Sequence, residues 1–168
     1  GMKKPINRPG GFAEFVAVPN QNIFTISSEN NINSLSLTEP TAVAYHAIKI
    51  AKQVSFKNIQ KSKILIIGGG AIGLLLALVL QAKDTQDITI IDMNAKRLDV
   101  CKKASNCNIA HPDDSNVLDN YYDIVFDAVG FATTRQKSIQ TVKQGGVIIH
   151  IGLSQAAGEF DFRKTTLQ

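Results

Sequence analysis

Cysteine is scarce in this sequence, and its placement excludes the frameworks that cysteine usually builds. Cys101 and Cys107 are the only two, and a short polar stretch separates them. Paired zinc ligands stand closer together than this, and disulfide-stabilised domains carry several cysteine pairs. The pattern therefore favours free thiols in a reducing cytoplasm.

A long apolar run is absent as well. The longest uncharged stretch extends from Ile64 to Ala82, but three consecutive glycines interrupt it, so it does not resemble a membrane span. We see no basic and apolar leader with a cleavage site, and Gly1 before Met2 resembles a residue left by tag removal. These features predict a soluble, cytoplasmic protein without a membrane partner.

Charge of one sign is not concentrated anywhere in the chain. The 18 basic and 14 acidic residues give a net charge of +4, and the lysines are scattered and not interleaved with aromatic residues. This distribution argues against a nucleic-acid partner. The length of 168 residues suits one domain with a short appendage.

The pattern changes character near residue 37. Before it, "GGFAEFVAVP" alternates apolar and polar residues, which predicts a short strand, and "SSENNINS" (27–34) is polar enough for a surface loop. After it, "SLTEPTAVAYHAIKIAKQV" opens with a Ser/Thr-then-Glu start signal and continues with helical spacing. We therefore expect a small region over 1–37 and a larger domain over 38–168.

The larger region alternates apolar strands with helical stretches. The runs "KILIIG", "DITIID", "YDIVFDAVG" and "GGVIIHIG" are continuous and rich in β-branched residues, as in strands that are buried on both faces of a parallel sheet. A weaker short strand is predicted in "NCNIAHPDD". The sequence thus predicts a doubly wound α/β Rossmann sheet of five parallel strands.

Three glycines follow the first of these runs at a spacing that fits a dinucleotide. Gly68, Gly70 and Gly73 form Gly-x-Gly-x-x-Gly between a predicted strand and a predicted helix. In this motif the first glycine permits the tight turn, the second leaves room for a pyrophosphate, and the third lets the helix approach the strand. A tight turn without a ligand is the structural alternative.

An acidic residue stands where the adenosine ribose is expected. Asp92 ends the run "ITIID", about twenty residues after the last glycine. A carboxylate there accepts hydrogen bonds from the ribose hydroxyls and repels a 2′-phosphate, so NAD is favoured over NADP. We expect Arg97 to lie along the adenine side. Alternatively, Asp92 caps the helix that follows.

Taken together, the segments resemble the medium-chain dehydrogenase/reductase family, in its zinc-dependent alcohol and polyol branch. "RPGGFAEFVAVP", "LTEPTAVAYHAI", "ILIIGGGAIGLLLALVLQA", "ITIIDMNAKRL", "YDIVFDAVG" and "GGVIIHIGL" occur in the family's order. Within the branch, the chain is most similar to polyol, sugar-alcohol and threonine dehydrogenases. The resemblance implies hydride transfer between an alcohol and NAD.

The resemblance also assigns residues to the cofactor. It implies that Ala128–Gly130 line the nicotinamide ribose and that Ile151–Leu153 present backbone groups to the carboxamide; ordinary strand-end packing is the alternative. The predicted cofactor-binding residues are therefore Gly68, Gly70, Ala71, Ile72, Gly73, Asp92, Arg97, Ala128, Val129, Gly130, Ile151, Gly152 and Leu153.

The zinc chemistry of the family lacks its ligands in this sequence. The family's Cys ligand and Gly-His-Glu segment have no counterpart here, which leads us to expect a chain truncated at both ends, with 1–37 as a remnant of the GroES-like catalytic domain. Glu39 corresponds to a family residue near the zinc, but in this chain we interpret it as a first-turn helix carboxylate. His46, His111 and His150 complete no ligand set, so we expect no bound zinc and assign no catalytic residue.

Three functions remain open at this point. The chain is an inactive NAD(H)-binding domain of a zinc-type dehydrogenase, an enzyme completed by another chain, or a non-enzymatic interaction module that has lost the cofactor. Without a sixth strand, "GGVIIHIG" becomes an apolar sheet edge, which predicts a homodimer through that edge.

Overall fold

The computed structural model describes residues 11–27, 31–159 and 163. The chain divides into two compact units, residues 1–35 and residues 36–168. The elements are α1 (Ile32–Leu35), α2 (Thr38–Val54), β1 (Ile64–Ile67), α3 (Ala71–Gln81), β2 (Ile88–Ile91), α4 (Ala95–Ala104), β3 (Asn108–Ala110), β4 (Tyr122–Asp127), α5 (Ala132–Thr141) and β5 (Val142–His150), with short 3₁₀ turns at Asn20–Asn22 and Ile59–Lys61.

The second unit is built on one parallel sheet of five strands. Their order is β3-β2-β1-β4-β5, so the chain winds outward from β1 in one direction and then from β4 in the other. The change of direction between β1 and β4 creates the crevice where doubly wound sheets bind ligands. The predicted Rossmann fold, including the weak third strand, is confirmed.

The central strands are apolar because both faces of the sheet are covered. Every residue of β1, β2 and β4 is buried. Leu76 and Leu80 of α3 pack with Ile48 of α2 on one face. Val117 and Val142 belong to the cluster on the other face. This double burial explains why the strands read as continuous apolar runs and not as alternating patterns.

The predicted helix after residue 37 is confirmed, although its start differs from the expectation. Helix α2 buries Ala44, Ala47, Ile48 and Ala51 at helical spacing. Its N-cap position is taken by Leu37, which provides no side-chain cap. The helix is therefore fixed by packing of its small apolar face, and Leu37, which is neither Ser nor Thr, stands at its N-cap.

A buried ion-pair cluster stabilises the amino end of β4. Asp123 forms ion pairs with Lys57 and with Lys143, and its Oδ2 accepts a hydrogen bond from the backbone N–H of Lys63 at 2.7 Å. Burial alone would raise the pKa of Asp123, but the two lysines and the amide lower it to about 2. This end of the sheet is held by charge as well as by apolar packing.

The strand predicted over "GGFAEFVAVP" is wrong. Within the described part of residues 1–35 there is no strand, and Phe12 and Phe15 are almost fully exposed. Alternation of apolar and polar residues specifies a strand only when a neighbouring strand and a core face are available. The predicted loop over 27–34 lies partly outside the described residues, and its end already forms α1.

No helix among the described residues is long and apolar enough to cross a membrane.

Candidate functional site

The glycine-rich loop closes tightly between β1 and α3. Gly68 has a φ of +104°, a conformation that side chains disfavour, and its N–H donates to the Ile91 carbonyl at 2.7 Å. A Cβ at Gly73 would overlap the Gly68 carbonyl oxygen and lie 3.3 Å from Ile66 Cγ2. Gly68 therefore permits the turn and Gly73 permits the close approach of helix and strand, as the motif predicts.

The middle glycine leaves open space above the helix end. A Cβ at Gly70 would meet no atom within 4 Å, and Gly70 is the N-cap of α3 without a side-chain cap. Ala71 begins the helix, whose first amides point out of its N-terminus with a partial positive charge. This arrangement can receive a phosphate group on backbone N–H donors.

Asp92 lies beside the loop and is only 7% exposed. Its Oδ2 accepts a hydrogen bond from the N–H of Gly69 at 2.8 Å, and its Oδ1 accepts one from the N–H of Asn94 at 2.7 Å. Each carboxylate oxygen retains a lone pair for a further donor. The carboxylate is thus fixed against the glycine loop while it can still accept from a ligand hydroxyl.

The helix after β2 is capped by Asn94 and not by Asp92, which removes one alternative for the aspartate. The Asn94 side chain accepts from the amides of Lys96 and Arg97 at 3.0 and 3.3 Å. Arg97 is exposed, and its Nη1 lies 3.6 Å from Asp92 Oδ2. The guanidinium therefore offsets the charge of Asp92 at the mouth of the site.

These residues border a cleft of about 880 Å³ at the carboxyl ends of the strands. Gly68, Asp92, Arg97 and Val129 are the predicted site residues in its wall. Gly70 and Ala71 line an adjoining hollow of about 430 Å³. The wall residues that the sequence analysis missed are Ile67, Ile91, Met93, Asn94, Ala95, Lys96, Pro112, Asp113, Phe131, Thr133, Thr134 and Lys137.

Most of the missed residues lie at strand ends or in the segments that follow them, and this position is the signal that could have revealed them. Met93 and Asn94 come directly after β2, and Thr133 and Thr134 are in the first turn of α5 after β4. Parallel strands bring all such segments to one edge of the sheet. The remaining predicted residues Ile72, Gly73 and Ala128 pack inward and support the loop and the strand end.

The ends of β4 and β5 meet next to the cleft. Gly130 has a φ of +82°, and a Cβ there would overlap the Gly152 carbonyl, so the two backbones touch. Ser154 Oγ donates to the Val129 carbonyl at 2.6 Å. The segments Ala128–Gly130 and Ile151–Leu153 are therefore brought together, although only Val129 of these residues lines the cleft, and Leu153 is 92% exposed.

Glu39 lies apart from the cleft. It lines a groove of about 490 Å³ between α2 and the end of β5, together with His46 and Ile151. Within residues 11–27 and 31–159, no group of three histidine, cysteine, aspartate or glutamate side chains could hold a metal ion. The residues present in this part of the chain therefore do not fit the zinc that the family resemblance implies.

The two thiols take no part in the chemistry of the cleft. Cys101 is buried under the loop, where its Sγ lies 3.5 Å from the Gly69 carbonyl. Burial, helped by the charge of Asp92, raises the pKa of the Cys101 thiol. Cys107 is half-buried and also free, and burial raises its pKa too. Both sulfurs therefore stay protonated at neutral pH and act as small apolar groups.

Three features of the cleft are those of a binding pocket. It offers an anion-binding helix end, a fixed carboxylate for hydroxyl groups, and a largely apolar wall, which is the composition of a cofactor pocket. A dinucleotide fits these three features in that order, from pyrophosphate to ribose to base.

A family model agrees with this geometry. The family described as glucose dehydrogenase C-terminus matches residues 33–168. Among curated proteins, L-threonine 3-dehydrogenase of Sinorhizobium fredii is 30% identical over 167 residues, and that of Rhizobium etli is 27% identical. Each match covers 95% of this chain and 47% of the relative, so the chain spans about half the length of the curated relatives it matches.

Solved structures share the fold. Galactitol-1-phosphate dehydrogenase from Escherichia coli superimposes with a TM-score of 0.75 at 21% identity, over 95% of this chain and 47% of that one. An Escherichia coli CFT073 protein described as a short chain alcohol dehydrogenase and complexed with NADH gives 0.81 at 18% identity, over 94% and 48%. A zinc-binding dehydrogenase from Sinorhizobium meliloti 1021, bound to NADP, gives 0.81 at 22% identity, over 95% and 49%.

The match over residues 33–168 settles the assignment that the resemblance suggested. The chain belongs to the glucose dehydrogenase C-terminus family, the C-terminal, dinucleotide-binding region of zinc-type alcohol and polyol dehydrogenases.

Proposed function

We propose that this chain binds NAD(H) and serves as the cofactor half of an NAD-dependent dehydrogenase that oxidises an alcohol or polyol. The observation that carries the proposal is the open N-terminus of α3 above Gly70, with the Asp92 carboxylate fixed beside it. The same proposal assigns the described part of residues 1–37 to a catalytic-domain remnant and 38–168 to the cofactor domain. A cytoplasmic location is part of it, and the two free thiols favour that location.

The preference for NAD over NADP follows from the carboxylate. Asp92 lies at the end of β2 with both oxygens facing backbone amides, so a 2′-phosphate would add two negative charges beside it. Arg97 weakens this repulsion in part because it lies 3.6 Å from the same carboxylate. Structural neighbours were solved with NADH and with NADP, so direct comparison of the two cofactors is the informative experiment.

Hydride transfer from an alcohol requires groups that the described residues do not bring together. In the proposed enzyme, the cleft holds the nicotinamide ring as hydride acceptor, and the group that activates the alcohol comes from residues outside the described cleft. The resemblance assigns that role to zinc, but no described residues form a zinc site. We therefore propose cofactor binding without alcohol turnover for the isolated chain.

Calorimetric titration with NADH and separately with NADPH tests this function. We expect micromolar binding of NADH, weaker binding of NADPH, and loss of NADH binding in Asp92→Ala. Asp99→Ala is the matched control, because Asp99 is an exposed aspartate on α4. Thermal melts of all variants verify that they remain folded.

The outcomes separate the alternatives. Absence of NADH binding by the folded wild-type protein would overturn the proposal and favour an interaction module that has lost the cofactor. Binding that Asp92→Ala leaves unchanged would contradict the assigned role of the carboxylate. Alcohol-dependent NADH formation by the chain mixed with a second polypeptide would favour an enzyme completed by another chain.

We also propose that the chain forms a homodimer through the edge of the sheet. Strand β5 is last in the strand order and pairs with β4 alone among the described strands. Val147–Ile149 are apolar and half-buried there, which leaves a pairing surface on its outer side. Size-exclusion chromatography with light scattering is the test: Ile149→Lys should give a monomer, and a dimer that persists in this variant would refute pairing through the edge.

A further inference from the structure

A buried carboxylate and a histidine connect the carboxyl ends of β4 and β5. Asp127, the last residue of β4, has no exposed surface, and its Oδ2 lies 3.3 Å from Nδ1 of His150. The two residues are partners in the strand register, so their side chains lie on the same face of the sheet. His150 is about one-third exposed, and it is the one basic side chain in contact with this carboxylate among the described residues.

The same carboxylate shapes the turn after β4. Oδ1 of Asp127 accepts hydrogen bonds from the N–H groups of Val129 and Gly130 at 3.0 and 2.9 Å. These bonds fold the chain back at the point where Gly130 adopts its left-handed conformation. The orientation of one side chain therefore determines where two backbone amides and the Val129 side chain lie.

The turn after β4 also contacts the glycine loop. A Cβ placed on Gly68 would lie 2.6 Å from Val129 Cγ2, so the Val129 methyl group occupies the space that Gly68 leaves open. On the other side, the Gln155 and Ser154 amides donate to the Gly130 and Val129 carbonyls at 3.0 and 3.4 Å. A change in the Asp127 carboxylate would consequently reach the glycine loop on one side and the segment after β5 on the other.

We propose that His150 is a positioning residue for the cofactor: it holds the Asp127 carboxylate in the orientation that fixes the Val129–Gly130 turn against the glycine loop. This inference rests on the proposed NAD(H)-binding function. His150 needs no contact with the cofactor, because it acts through Asp127. The ring supplies a hydrogen bond from Nδ1 in its cationic form and in the neutral Nδ1–H tautomer.

The physical basis is the cost of a buried charge. A carboxylate without exposed surface requires hydrogen-bond donors for both oxygens. The His150 imidazole is the donor beside Oδ2, and the Thr134 side chain is a further donor to the same carboxylate. Burial would raise the pKa of Asp127, but His150, the two turn amides and the Thr134 side chain lower it below the ordinary value. The other titratable groups in the adjoining groove are Glu39 and His46 on α2, and neither forms a described ion pair with His150 or Asp127.

The test removes the imidazole and then restores one donor. His150→Leu should bind NADH about tenfold more weakly than wild type, since a hydrogen bond to a charged group is lost. It should also exchange the amide protons of Val129 and Gly130 faster in the free protein, measured by NMR. His150→Asn places an amide N–H near the position of Nδ1 and should restore most of the NADH affinity and most of the protection of both amide protons. His46→Leu, which removes an exposed histidine from α2, is the matched control and should match wild type.

Each result decides the inference. A His150→Leu protein that is folded, binds NADH as tightly as wild type and protects both amides would overturn it. If the Leu and Asn variants lost NADH affinity and amide protection equally, the inference would also be overturned, because the N–H donor to Asp127 would then have no effect. If the wild-type protein binds no dinucleotide, the proposed function fails, and amide exchange at Val129 and Gly130 still determines whether His150 positions the turn.

Discussion

The two ends of β4 each bury an aspartate, and the two are held in different ways. At the amino end, Asp123 is paired with the ammonium groups of Lys57 and Lys143, which are themselves about two-fifths exposed. At the carboxyl end, Asp127 is held mainly by backbone amides of its own turn and by one histidine. One carboxylate fastens side chains from distant segments, and the other shapes the backbone beside it.

The difference shows how one strand separates stability from function. Ion pairs at the amino end connect β4 to the segments before β1 and within β5, and none of their side chains lines the cleft described above. At the carboxyl end, hydrogen bonds from backbone amides to Asp127 hold the turn beside the cleft, where a ligand can contact it. We therefore expect substitutions at the first end to lower the free energy of unfolding alone, and substitutions at the second to change ligand binding as well.

Gly73→Val should have the largest effect. It changes the glycine loop, which lies at the carboxyl edge of the sheet. Its side chain would overlap the Gly68 carbonyl and push α3 away from β1. We expect the free energy of unfolding to fall by about 3 kcal/mol or more, and NADH binding to be lost. Urea unfolding and calorimetry measure the two effects. Gly11→Val, at a position where a Cβ meets nothing, is the control, and equal stability of the two variants would contradict the close approach.

Asp123→Ala should have the next largest effect, at the amino end only. The substitution leaves the Lys63 amide without its acceptor and returns two lysines to water. We expect the free energy of unfolding to fall by about 2 kcal/mol, because the lysines are partly exposed and recover hydration. The dissociation constant for NADH should stay within twofold of wild type. A large loss of NADH affinity in a folded Asp123→Ala protein would break the proposed division between the two ends.

Local patterns predicted the central features of the fold. The continuous apolar runs correctly predicted β1, β2 and β4. These strands are buried on both faces, so almost every position in them is apolar. The glycine spacing located the loop, because the turn and the helix approach are steric requirements of neighbouring residues. The sequence therefore sufficed wherever structure follows from residues that are close in the chain.

Predictions failed or were missing where residues that are distant in the chain determine the structure. The alternating segment after Gly11 forms no strand, because alternation cannot supply a partner strand. The capping role considered for Asp92 belongs to Asn94, while Asp92 reaches back to the Gly69 amide. The pairing of Asp127 with His150 depends on strand register, which no local pattern reveals. The polar residues Asp92, Asp127 and His150 at the ends of three of the apolar runs were the available signal.

Lowering the pH should distinguish the two ends of β4 by a smaller effect on the free energy of unfolding. The pKa of Asp123 in the folded protein is about 2, below its ordinary value of 3.8, so its ion pairs stabilise the fold above pH 4 and lose that contribution as the pH falls toward 2. The difference between a pKa of 3.8 and one of about 2 corresponds to about 2.5 kcal/mol, and exposure of the lysines reduces this to about 1 kcal/mol in salt. Urea unfolding of wild type and Asp123→Ala at pH 5 and pH 2.5 measures it. The stability difference between the two proteins should shrink by that amount at the lower pH, and an undiminished difference would show that Asp123 stabilises β4 by something other than its charge.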